Sequence, residues 1–191
     1  MSFISTGVEY GLHCLLYLSR SQASVETASV RDLAELQGIP ADYLAKLFTK
    51  LAKANLVVAT EGIRGGFSLA RPADKITVHD VVVAIDGDKP LFDCLEIRDR
   101  CAVFEDAPPA WATRGVCSIH AVMQSAEKAM RHELRQHTLF DIANRAIDKA
   151  PNSYGTQVVQ WLTARSVNRR GDKSEESLPP ARKSVRPRNR A

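Results

Sequence analysis

Three cysteines and a histidine carry the clearest chemical potential in this 191-residue chain. Cys94, Cys101 and Cys117 are separated by six and then fifteen residues, and His120 follows Cys117 by three. Thiolates suit zinc and iron–sulfur clusters, and imidazole serves both. By spacing alone, ordinary thiols are the default. Glu9 and His13 lie four apart, so on a helix they are neighbours on one face. They form either a solvated carboxylate–imidazole pair or two ligands converging on one ion. Cys14 falls on the apolar period of the same helix and is expected to pack inside. Four cysteines in a chain of this kind argue against a secreted disulfide framework and for metal or redox chemistry.

The elements that must position these groups are organised around residues 29–72. Leu33, Ala34 and Leu36 give a short apolar face, with Ser29 placed to cap it. Gly38 stands where that helix stops, and Pro40 is pre-set for the first position of a second helix. Leu44, Leu47, Phe48 and Leu51 then recur at helical spacing, while Tyr43, Lys46, Lys50 and Lys53 face outward. Leu56–Ala59 has strand composition, Gly62–Gly66 breaks it, and Phe67–Leu69 returns. A small residue at Ala34 and a glycine at Gly38 are what two closely crossing helices need. The sequence therefore predicts a winged helix-turn-helix whose second helix enters the DNA major groove. Asp42, Tyr43, Ala45 and Lys46 are placed against base edges, and Lys50, Lys53 and the wing residue Arg64 against the backbone or minor groove. The bland counterpart is a helical protein-binding module with an exposed hairpin.

Composition limits the other classes. No apolar run is long enough to span a membrane and no basic-then-apolar leader opens the chain, so a cytoplasmic location is expected. There is no glycine-rich phosphate loop and no nucleophile elbow, so an enzyme is not expected. The net charge of +4 is uneven. From Arg165 to Ala191 there are nine Lys or Arg against three Asp or Glu, which leaves the rest slightly acidic. Residues 31–75 hold seven basic and five acidic side chains, so DNA affinity would rest on placement and pairing of two copies rather than bulk charge.

Around the reader, Ser5 or Thr6 can cap a first helix to about Ser19, with Val8, Leu12, Leu15 and Leu16 inward. Thr77 and Asp80 open another helix through Ile85, ended by Gly87, with His79 expected at the surface. Residues 88–116 have no sustained period, and an irregular segment of that length is usually functional or disordered. Ile119, Val122, Met123, Ala126, Met130 and Leu134 then stripe a helix about 30 Å long. Its copy in a second chain is the obvious partner, packing on its own domain the alternative. Thr138 and Asp141 open a further helix to about Ala150. A last turn or two is expected around Val158, Trp161 and Leu162, and disorder beyond Arg165. The expected organisation is mainly α with a small β-hairpin wing: a reader over 1–87, a cysteine loop over 88–117, a dimerisation and a C-terminal helix over 118–150, a short extension over 151–164 and a basic tail over 165–191.

The chain resembles the family of winged-helix regulators that includes IscR, NsrR, RirA and RsrR. The segments carrying the match are Val8–Leu12, Tyr43–Lys46, Gly65–Pro72, Val81–Gly87, Cys94 and Thr138–Ile142, in family order from about Phe3 to Ile142. The resemblance implies a homodimer paired through the long helix, bound to a palindromic double-stranded operator. It implies an iron–sulfur cluster at the dimer interface, 2Fe–2S rather than 4Fe–4S, sensing redox state, nitric oxide or iron supply. Cys94 and Cys117 match the outer cysteines of the family loop, and Cys101 is the natural middle one. His120 matches a histidine that is a ligand in IscR. Glu9 matches an acidic ligand given by the other subunit, and Glu9 with His13 resembles the RsrR arrangement. Two departures stand out. Fifteen residues separate Cys101 from Cys117 where the family has about five, at a closure cost of only about 1 kcal/mol. Glu61 stands near where members often carry a basic wing residue. The alternative is a zinc-containing or cluster-free regulator using Cys94 and Cys101 as a thiol switch.

Overall fold

A computed structural model describes residues 3–19, 27–60, 65–105 and 107–175. Within them the order is α1 (Thr6–Leu18), α2 (Val30–Gln37), α3 (Ala41–Lys53), β1 (Val57–Thr60), β2 (Gly66–Leu69), α4 (Val78–Asp86), α5 (Ser118–Gln136), α6 (Leu139–Lys149) and α7 (Asn152–Glu175). The molecule is mostly helical with one antiparallel hairpin.

The helix-turn-helix forms where the local chemistry dictates. Ser29 accepts from the Asp32 amide and so satisfies one of the free donors of α2. Gly38 takes φ 66°, ψ 32°, and the chain turns back through a 2.8 Å bond from the Ile39 amide to the Ala34 carbonyl. Pro40 is the N-cap of α3, one position earlier than expected, and its carbonyl receives the Tyr43 and Leu44 amides. Leu33, Leu44, Phe48 and Leu51 are fully buried, and Leu36 is half-buried.

The wing pairs Val57 with Leu69 and Thr60 with Gly66. Ala28 adds an isolated bridge to Phe67, exchanging bonds of 2.8 and 3.1 Å. This bridge explains Gly66: a Cβ there would lie 2.6 Å from the Ala28 carbonyl oxygen. Residues 61–64, which include Glu61 and Arg64, lie outside the described residues.

Capping boxes at Thr77/Asp80 and Thr138/Asp141 start α4 and α6 as the sequence predicts. The two starts also pair with each other. Thr77 bridges Thr138, the Val78 amide donates to His137, and the Leu139 amide donates to Ile76. Ser5 corrects an expectation. It occupies the N-cap of α1, but its amide and hydroxyl both bind the Asp86 carboxylate, at 2.8 and 2.5 Å, and so tie α1 to the end of α4.

The chain beyond 150 differs more. The expected turn or two is the 24-residue helix α7, running ten residues past Arg165. No proline interrupts the sequence between Pro151 and Pro179, and Val158 and Leu162 are buried in the main core. Arg165 stacks on Trp161, 4.3 Å from the ring centroid, and pairs with Glu35 of α2. Packing therefore anchors the helix as far as Arg165. Residues 176–191 lie outside the described residues. Leu162→Ala is expected to cost about 2–4 kcal/mol, as for other buried leucines, and a thermal melt checks it.

Candidate DNA-reading face and cysteine site

On α3, Asp42, Tyr43, Ala45 and Lys46 are all exposed, as is Lys53. They share the helix with a buried face of Leu44, Leu47, Phe48 and Leu51, so the outward positions form a continuous strip. Tyr43 stays 41% exposed although its ring meets Tyr10 edge-on at 6.1 Å. Lys50 is exposed as well and makes a contact inside the chain. Its ammonium donates at 2.6 Å to the Ile85 carbonyl near the end of α4, where a cation complements the helix dipole. Val58, Ala59 and Thr60 of β1 are exposed, so the hairpin projects.

The cysteine segment runs from Gly87 to the start of α5, with single 3-10 turns at Ile97–Arg100 and Ala102–Phe104. All four cysteines are free thiols. Cys14 is wholly buried in α1, and burial pushes its thiol up to about 12, which makes it a packing residue. Cys94 and Cys117 are half-buried and Cys101 is exposed.

Cys117 is the N-cap of α5. The backbone N–H groups of His120 and Ile119 hold its thiol below the usual range, and the Arg98 guanidinium adds to this. The same guanidinium holds Glu96 and the carbonyls of Thr113 and Gly115, so the chain just before Cys117 runs beside the segment just after Cys94.

His120 stands one turn into α5. Its Nε2 lies 2.6 Å from the Gln124 amide nitrogen, and its ring is 6.2 Å from that of Phe92. Its Nδ1 is buried without a hydrogen-bond partner. An amide flip at Gln124 would turn Nε2 into the donor and leave a free lone pair on Nδ1, the form a metal takes. Two thiols and this nitrogen suit one side of a metal or cluster site by donor chemistry. They are not gathered as a set: among the described residues no three His, Cys, Asp or Glu side chains converge to hold an ion.

Glu9 and His13 are not joined to the cysteines within this chain. They are exposed on α1, beside an open groove of about 610 Å³ lined by Val8, Leu12, Leu16, Val82 and Ile142. Ile119, Val122 and Met123, the first part of the α5 stripe, are also exposed, at 63%, 67% and 36%. Further along, Arg131 binds the Lys89 carbonyl, the Glu127 carboxylate at 2.8 Å and the Asp88 carboxylate. Glu127 in turn accepts the Leu91 amide. Residues 88–91 are thereby clamped to α5. His79 is half-buried there; burial lowers its pKa, and Arg135 and Arg131 lower it further. The i, i+4 spacing of Glu127 and Arg131 was a readable signal. Arg98 and Gln124 had none, because their partners are set by the loop's path.

The Rrf2 model, described as an iron-dependent transcriptional regulator, matches residues 4–145. Protein rrf2 of Nitratidesulfovibrio vulgaris is 34% identical over 143 residues, covering 75% of this chain and 88% of its own. Among solved structures, the global cysteine regulator CymR of B. subtilis aligns with TM-score 0.59 and 23% identity, covering 76% of this chain and 98% of its own. IscR of T. potens aligns with TM-score 0.58 and 23% identity, covering 80% and 95%. These two share the winged-helix fold. Among the described residues, no helix is long and apolar enough to cross a membrane. The chain belongs to the Rrf2 family and is a helix-turn-helix transcriptional regulator.

Proposed function

We propose that the chain acts as a homodimer on a palindromic operator and that an iron–sulfur cluster, 2Fe–2S in type, sets its affinity. The observation that supports this is the Arg98 bridge from Glu96, two residues after Cys94, to Gly115, two residues before Cys117, at the head of a helix whose first apolar residues are uncovered. When bound, the cluster supplies a redox-active, nitric-oxide-sensitive centre with iron–thiolate bonds. Cys94 and Cys117 hold one side. Glu9 and His13, exposed on α1 of the second chain, supply the other, with His120 and Cys101 as the further candidates. Ile119, Val122 and Met123 of the two copies pack together.

On DNA, Asp42, Tyr43, Ala45 and Lys46 face base edges. Lys46, Lys53 and Arg64 supply positive charge near the phosphates, and Lys50 holds α4 in place as well as lying beside the reader. Two readers must sit about one helical turn, ~34 Å, apart, so a small change at the interface alters binding strongly. Arg64→Ala is expected to weaken operator binding and lower the salt slope by about one unit. A gel-shift titration at several salt concentrations checks it, and an unchanged slope removes Arg64 from the DNA contacts.

The deciding experiment is an absorption spectrum of protein purified without oxygen, with iron and sulfide assayed on the same sample. A brown protein with equal iron and sulfide supports the cluster. The exposure of Cys101 favours a second reading, in which Cys94 and Cys101 form a thiol switch without a cluster or with zinc. A colourless protein without iron or sulfide moves that reading to first place.

A further inference from the structure

We propose that Arg98 is the positioning residue of the cysteine site: it folds the long excursion between Cys101 and Cys117 back toward the segment that follows Cys94 and fixes a positive charge where the two segments meet. The first part stands without any cluster, and the second rests on the cluster reading above.

The geometry is a fork. Nε and Nη2 of Arg98 grip the two carboxylate oxygens of Glu96, with Nη2 at 2.9 Å from Oε2. The same Nη2 donates to the carbonyls of Gly115 at 2.9 Å and Thr113 at 3.3 Å. Gly115 has φ +68°, a left-handed conformation that suits glycine and sets the direction of the chain two residues before Cys117. One side chain thus joins residue 96, two positions after Cys94, to residues 113–115, just before Cys117. Such an excursion has many conformations, and most of them separate the two thiols. Arg98 selects one that lays residues 113–115 against residue 96.

Only an arginine makes this set of contacts. A lysine keeps the charge but is a single point donor that cannot bind a carboxylate edge and two carbonyls together. The two properties are therefore separable by substitution. Fork geometry governs how firmly the loop is closed. The charge governs how well negative sulfurs, and a cluster bearing them, are stabilised; clusters respond to nearby charge through their potential.

The test uses the full chain and the variants Arg98→Met and Arg98→Lys, each checked for folding by circular dichroism. On metal-free protein that also carries Cys101→Ser, phenylarsine oxide reports paired thiols, because one arsenic takes two sulfurs and releases water. Both variants are expected to capture it about tenfold less tightly than the protein with Arg98 intact. Capture as tight as with Arg98 intact, in either variant, overturns the positioning role whether or not the protein holds a cluster.

On cluster-loaded protein, loss of iron to a chelator is expected to be about 10–100-fold faster in both variants, the range seen for outer-shell partners. The reduction potential should fall in Arg98→Met and return toward the original in Arg98→Lys. A strut without an electrostatic part would not produce that split, so equal potentials in all three proteins overturn the charge role. If the unaltered protein takes up neither iron nor sulfide, the cluster reading and the charge role fail together, and arsenic capture still decides the positioning role.

Discussion

Cys117→Ser is expected to leave the protein folded and its cysteine site without iron. Cys117 is the N-cap of α5, and the nearby amides of His120 and Ile119 lower its thiol pKa. Serine is among the preferred residues at that position, so the helix start is preserved or strengthened. What is lost is the thiolate, the group that iron–sulfur chemistry requires. Iron and sulfide in anaerobically purified protein should drop to roughly a tenth or less of the original, because the remaining thiol and imidazole do not replace a sulfur ligand. Far-ultraviolet dichroism should be unchanged. Cys14→Ser is the control. It puts a hydroxyl in a fully buried apolar place, so stability falls while iron content stays. Retention of iron and spectrum by Cys117→Ser would remove Cys117 from the ligand set.

Phe48→Ala is expected to cost about 3–5 kcal/mol, a large part of the stability of a typical domain. Phe48 is wholly buried and lies under both halves of the reader. Its ring meets that of Phe67 on β2 at 5.0 Å in an edge-on contact, so it joins α3 to the wing. Truncation opens a cavity and removes the contact that sets the wing against the recognition helix. The melting temperature should fall by roughly 6–20 °C. Operator affinity should fall more than a surface substitution would cause, even at temperatures where the variant is folded. A melt and a gel shift on the same preparation separate the two losses. A variant that melts as before would mean that the core closes over the gap.

A change at Cys94 has a direct path to α5. Residues 88–91 are held by Arg131 and Glu127, and α4 meets α1 through the Ser5–Asp86 contact. The segment that leads to the cysteines is therefore bound both to the helix with the uncovered stripe and to the body of the reader.

Most of the scaffold was legible in the sequence because its signals are local. Ser29, Gly38, Thr77 with Asp80, and Thr138 with Asp141 act on backbone groups within a few residues, so type and spacing suffice to place them. The apolar period of α3 likewise reports its buried face wherever the helix docks. Three features needed the tertiary structure. Arg98 is one arginine in a charged, irregular stretch, and its role depends on carbonyls fifteen and seventeen positions away. Lys50 has the spacing of an outward recognition residue, yet its charge finds the Ile85 carbonyl because α4 ends beside α3. The chain beyond Arg165 looks too polar to be ordered, yet it continues a helix anchored where Val158 and Leu162 enter the core and Arg165 pairs with Glu35 of α2. Local hydrogen bonding and periodicity are properties of a short stretch of chain, whereas a partner far along the chain exists only once the elements have packed.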